Sequence, residues 1–233
     1  MVAVWQAHLS FVLLGFVALS VLRFTAPWRP WLLPVLVAVS VIPVNELPLA
    51  AYVRSFTDDL AISTLVLLAW LGLCRLGLVR ALDRRHRGQM LLLFGLLSLL
   101  LYPATLGLTY VDPYRWGFNP RPMIVLVAAA ALVMLWLRNA LAVWMLAIGT
   151  LAFALRLKAS ENYWDYLVDP LLTVYCVVAG LMQFKLWERA CPRWYRRGST
   201  GTPHRLNRYS PFPIKYKRKS GLKIPSFRAV MAI

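Results

Sequence analysis

The chain has 233 residues, of which 60% are hydrophobic and 15% charged, with a mean hydropathy of +0.62. Soluble domains are about 45–50% apolar and about 25% charged, so this composition excludes an ordinary soluble domain and predicts an all-α, polytopic membrane protein. The formal charge of +17 is concentrated, with thirteen of the 26 Lys and Arg lying from Lys185 onward; no nucleic-acid-binding motif accompanies them, so a specific nucleic acid is not an expected partner.

Seven apolar segments are predicted, at about 3–22, 31–47, 60–79, 90–108, 122–137, 140–155 and 170–187. They are continuous rather than alternating, which argues against a β-barrel. The first has no basic stretch ahead of it and reads as a retained helix, not a cleaved signal. Alternate loops collect the basic residues: Arg23 and Arg29, then Arg80, Arg84, Arg85 and Arg87, then Arg138, then the tail. With Arg75, twenty-one Lys and Arg fall on one side and five on the other. The positive-inside rule then places the N-terminus outside and the C-terminus inside. Seven of the nine acids fall outside, giving an acidic outer and a basic inner face. The turn at 138–139 is the weak point, because a re-entrant pair there would reduce seven spans to five.

The stretch "VIPVNELPLAAYVRSFTDDLAIS" puts Asn45 and Glu46 between Pro43 and Pro48. From Trp31 to Asn45 a helix covers about 22 Å, so Glu46 sits near the outer edge of the hydrocarbon. Two readings stand. Either the prolines break the helix around an outward-facing vestibule lined by Asn45 and Glu46, or the span ends there and Glu46 reaches water. Asp58 and Asp59 precede the third segment and suit its N-terminus, and Arg54 lies four residues before Asp58, the spacing of a helical ion pair.

The second outer segment, "LTYVDPYRWGFNPRP", carries turn signals at Asp112-Pro113 and Asn119-Pro120. Its four aromatics suit a headgroup-level belt, and Arg115 and Arg121 suit a lipid-headgroup or glycan contact. The third, "KASENYWDYLVDPLL", would align Glu161, Asp165 and Asp169 on one stripe if helical. Asp169-Pro170 also reads as N-cap and first position of the last span. Glu161 and Asp165 could pair with Arg54, Arg115 or Arg121, take up a proton or cation, or simply face solvent.

The chain divides into a transmembrane domain, 1–190, and a basic tail, 191–233, whose composition predicts disorder and contact with anionic lipid headgroups. Cys74, Cys176 and Cys191 lack metal-ligand or redox spacing, and the three histidines are scattered. Phosphate-loop, nucleophile-elbow, zinc-protease and dinucleotide motifs are absent, so no metal or cofactor is expected. "NELPLAAYVR" with "DDLAIS", "DPYRWGF" and "ENYWDYLVDPLL" resemble a group of small bacterial inner-membrane proteins of uncharacterised function, over roughly residues 30–187. The resemblance implies the bacterial inner membrane and no catalytic residue. The expected role is an accessory or assembly subunit of a cell-envelope process, contacting membrane lipids and a membrane-protein partner through its outer loops. Alternatives are a small proton-coupled carrier using Glu46 and an enzyme acting on lipid-linked substrates at the outer leaflet.

Overall fold

The structure, a computed structural model, describes residues 2–22, 28–108 and 110–190. The chain forms two compact units, Met1–Gln183 and Phe184–Ile233. Everything below concerns the first, apart from the backbone of the last helix; the basic tail expected at 191–233 lies outside the described residues.

The described residues are mostly helical. The helices are α1 (Val2–Ser20), α2 (Arg29–Ser40), α3 (Leu49–Thr57), α4 (Ile62–Arg75), α5 (Arg84–Thr105), α6 (Pro120–Trp136), α7 (Ala140–Ala154), α8 (Trp164–Leu167) and α9 (Pro170–Ala190). A two-stranded hairpin, β1 (Pro43–Val44) and β2 (Leu47–Pro48), and a 3-10 helix at Pro113–Gly117 complete them. Each apolar segment of the sequence is a helix, with shifted ends. The second stops at Ser40, not 47, because the chain turns into the hairpin. The basic loop expected at 80–89 is largely the first turns of α5, because Asp83 accepts the His86 N–H at 2.9 Å and starts that helix early.

Among the described residues one helix, α5, is long and apolar enough by itself to cross a membrane. The pair α3 and α4 has the composition for a second, but the two meet at 119°. The other apolar helices are shorter.

Side-chain bonds fix which helix ends lie together. Gln6 Nε2 donates to Leu60 O at 2.7 Å, and His8 Nδ1 lies 3.1 Å from Ser40 Oγ, so α1 begins where α2 ends and α4 begins. Arg29 donates to Ser20 O at 3.3 Å and Arg75 O at 3.4 Å, joining the opposite ends of the same three helices. Asn139 Nδ2 donates to His86 O at 2.7 Å, and Gln183 Nε2 to Arg84 O at 2.9 Å, so the α6–α7 turn and α9 meet the start of α5. The seven long helices therefore alternate in direction. One end of the bundle carries Glu46, Asp58, Asp59, Asp112, Glu161, Asp165 and Asp169; the other carries Arg29, Arg75, Arg84, Arg85, Arg87 and Arg138.

The short turn at 138–139 is workable because Arg138 is left-handed (φ 58°). Its N–H reaches Leu135 O and that of Asn139 reaches Met134 O, each at 2.9 Å, closing α6 in the double bond of a Schellman end. Asn139 Oδ1 then accepts the Ala142 N–H at 3.2 Å and opens α7. Two helices, packed on each other, result from three linking residues.

The core gathers Met90, Phe94, Leu141, Met145, Leu146, Trp164, Tyr166 and Leu172. Outward, the helices stay apolar. Leu92, Leu96 and Leu99 of α5, Val125, Leu132 and Leu135 of α6, and Val174, Val177 and Leu181 of α9 are each more than half exposed.

Candidate functional site

Residues 157–169 form the centre of the acidic end. They are not the helix that would align Glu161, Asp165 and Asp169. One turn, α8, forms; before it, Ser160 Oγ accepts the Asn162 N–H at 3.0 Å and Asn162 Oδ1 accepts the Trp164 N–H at 2.9 Å. Side-chain acceptors of this kind offer the backbone an alternative to helix. After it, Val168 is extended, and Pro170 disfavours helical geometry at Asp169. The three acids therefore separate: Glu161 is exposed, Asp165 half-buried and Asp169 buried.

Lys158 is the anchor of this loop. It is 7% exposed, and its ammonium donates to Asp59 O at 2.7 Å, Asp165 O at 2.8 Å and Leu60 O at 3.2 Å. An ammonium has three donors, and here all three are used. Burial pushes the Lys158 pKa below the ordinary lysine value, and the carboxylates of Asp165, Asp59, Asp169 and Asp58 offset part of that shift. The Tyr166 ring lies 5.9 Å from the ammonium, and its hydroxyl accepts the Lys158 N–H at 3.2 Å. Leu60 O, bonded to both Lys158 and Gln6, thus connects the loop to α1.

The expectation that Asp58 and Asp59 open α4 is corrected. Asp58, with φ 56°, closes α3, and Asp59 pairs with Arg54 at 2.6 and 2.9 Å, so Arg54 takes Asp59 and not Asp58. The cap of α4 comes from 108 residues downstream: Asp169 Oδ2 accepts the Ala61 N–H at 2.8 Å. Its other oxygen accepts the Leu172 N–H at 2.7 Å, as the Asp-Pro pattern predicts. One carboxylate opens two helices. Asp169→Asn keeps a single acceptor and turns an N–H toward one of the two donors. It is expected to cost about 2 kcal/mol, seen as a melting temperature lower by roughly 5 °C in detergent. An unchanged melting temperature would show that the cap on α4 is dispensable.

The loop also docks on the 3-10 turn. Trp164 Nε1 donates to Pro113 O at 2.8 Å, Asn162 Nδ2 to Tyr114 O at 3.0 Å, and the Tyr163 N–H to Gly117 O at 3.1 Å. Tyr163 stacks on Phe153 with centroids 4.5 Å apart. Asp165 accepts from Ser160 Oγ at 2.5 Å and from the Tyr114 hydroxyl at 3.4 Å. Asp112 accepts the Tyr114 N–H at 3.1 Å and starts the 3-10 turn. Arg115 is exposed beside it.

Asn45 and Glu46 stand apart. They are the two tip residues of the hairpin, both with positive φ (46° and 68°) and both exposed. A two-residue hairpin of this type requires that geometry at both positions. Tyr52, from α3, donates to Val44 O at 2.8 Å and ties the hairpin to the next helix. The sequence candidates therefore split into Arg54, Asp112 and Asp165 within the cluster, Asp58, Arg115 and Glu161 exposed on its rim, and Asn45 and Glu46 on the hairpin. Sequence reasoning missed Lys158 and Asn162. The Ser160-x-Asn162 pattern could have suggested a turn, whereas nothing local marks Lys158 as buried.

Lys158, Asn162 and Asp169 are buried and bonded within the cluster, while Phe56, Tyr110, Trp116 and Phe118 are exposed on its outer side together with Asp58, Arg115 and Glu161. No family model, curated protein or solved structure matches this chain.

Proposed function

We propose that this chain is a bacterial inner-membrane protein that crosses the bilayer seven times, with its acidic end outside and its basic end in the cytosol. In this reading it serves a cell-envelope process as a non-catalytic accessory or assembly subunit. Two features support the membrane reading. Large apolar side chains cover the outward faces of α5, α6 and α9, far beyond the single scattered residues that a soluble surface carries. The loops at one end are rich in arginine, as cytosolic loops are. The spans would be α1, α2, α4, α5, α6, α7 and α9. The 12-residue α2 covers about 18 Å and the 15-residue α7 about 22 Å, and a bilayer accommodates such short spans by local thinning. Helix α3, bent 119° from α4, would lie along the outer interface.

The observation that carries the functional reading is the cap itself. Its buried ionisable groups are spent on internal bonds, Lys158 on three carbonyls and Asp169 on two helix starts, while the surface it presents combines exposed aromatic rings with the charges of Asp58, Arg115 and Glu161. Such a surface suits a protein partner, because aromatic side chains are enriched among contacts that dominate binding. The test is purification in a mild detergent followed by mass spectrometry of co-purifying proteins. A stoichiometric partner lost from Trp116→Ala/Phe118→Ala, with the melting temperature unchanged, is the expected result. A chain that purifies alone from native membranes, or a partner retained by that variant, would overturn the reading. Solubility without detergent would overturn the membrane assignment separately.

A further inference from the structure

At the basic end, the last turn of α1, the first residue of α2 and the last residue of α4 converge on two arginines. Arg29 spends Nη2 on Ser20 O and Nη1 on Arg75 O, at 3.3 and 3.4 Å. Among the described residues its Nε is buried without a partner, and so is Nη2 of Arg75. Both side chains are half-buried. Arg29 reaches the backbone of Arg75, which brings two positive side chains to one place, and among the described residues neither has an acid. The sequence holds no Asp or Glu before Glu46 and none between Asp59 and Asp83. Asp83 is itself bonded to His86 at 2.5 Å.

A buried N–H without an acceptor costs about 1–3 kcal/mol, and more when the donor is charged. Among the described residues nothing supplies the anion that would complete the arrangement. Guanidinium groups match the paired oxygens of a phosphodiester, which can bridge two of them. The surroundings choose between a free and a lipid-borne phosphate. Trp28 and Trp31 flank Arg29 and are exposed, as are Val21, Leu22 and Leu78. Tryptophan at this depth marks the headgroup layer, and the aliphatic residues suit acyl chains.

We propose that Arg29 and Arg75 bind the phosphodiester of an anionic phospholipid at the cytosolic ends of α1, α2 and α4. This rests on the membrane reading above. The full chain, purified in mild detergent, is titrated with phosphatidylglycerol and followed by native mass spectrometry. Phosphatidylcholine with the same chains and inorganic phosphate form separate arms.

The expected result is one retained phosphatidylglycerol, bound about tenfold tighter than phosphatidylcholine. Arg75→Gln should weaken it about tenfold, and Arg85→Gln, at an exposed position of the same end, should not. Arg75→Gln leaves both backbone bonds of Arg29 in place and removes a buried unpaired N–H, so it should melt at or above the parent in lipid-free detergent. If it does not, Arg75→Lys, which keeps the charge and loses the fork, takes its place with an expected loss of about threefold. Equal loss in Arg75→Gln and Arg85→Gln would reduce the effect to diffuse charge and overturn the site. Stabilisation by inorganic phosphate with no lipid retained would overturn the lipid assignment. Failure of the membrane reading shows itself differently, as a protein soluble without detergent.

Discussion

Lys158→Met is expected to destabilise the protein by about 3 kcal/mol, because three buried or half-buried carbonyls lose charge-assisted donors that methionine cannot replace. Asp59 O, Leu60 O and Asp165 O would be left facing an apolar chain of similar length. The change removes a side chain that joins the α3–α4 corner to the 157–169 loop, as Asp169 also does through the Ala61 N–H. Thermal unfolding in detergent measures it, with an expected drop of roughly 6–12 °C for a chain of this size. A variant that melts at or above the parent would show that the carbonyls are not what holds the loop.

The same lysine has a pH signature. Burial lowers its folded-state pKa below its ordinary value of 10.5. Between the lowered value and the ordinary one, the unfolded chain holds the proton that the folded chain has released. Stability from this group therefore rises with pH across that window and is lost as pH falls through the folded value. Below the folded value both states are protonated and the slope vanishes. The parent should gain stability relative to Lys158→Met as pH climbs toward about 10, and parallel curves would contradict a buried ammonium.

The sequence was most legible where the determinants are local. Continuous apolar runs of helical length marked all seven long helices, and Asp169-Pro170 marked the start of α9. It was least legible where a residue serves a distant partner. Asp58 and Asp59 sit just before α4, yet the carboxylate that caps it is Asp169, which arrives through tertiary packing. The spacing of Glu161, Asp165 and Asp169 fits a helical stripe, but Ser160 and Asn162 divert the backbone first. Lys158 counts as one more surface charge until the fold closes three carbonyls around it. Glu46, the most conspicuous acid in the sequence, stands on the hairpin tip because two linking residues must adopt positive φ there.

Gly117→Ala is expected to cost 3 kcal/mol or more, near the upper end of about 1–3 kcal/mol for overpacking. A Cβ at this position would lie 1.7 Å from Asn162 Oδ1 and 2.9 Å from Trp164 Cδ1. Neither neighbour can move freely. Asn162 is bonded at both ends of its amide, Trp164 is held by its indole N–H, and the Tyr163 N–H reaches back to Gly117 O itself. Relief therefore requires the 157–169 loop to lift from the 3-10 turn. A double-mutant cycle isolates that cause. Asn162→Ala alone should destabilise, because it abandons Tyr114 O and the Trp164 N–H. In the Gly117→Ala background it should cost much less, or stabilise, since the clash goes with the side chain. Additive effects would place the cost elsewhere. Gly180→Ala is the control: its Cβ would meet nothing within 4 Å on α9, and helix propensity alone predicts a gain of about 0.5–1 kcal/mol. Because Trp116 and Phe118 flank Gly117, lifting the loop should also weaken partner association. The Gly117→Ala/Asn162→Ala pair should restore that association to the extent that it restores stability.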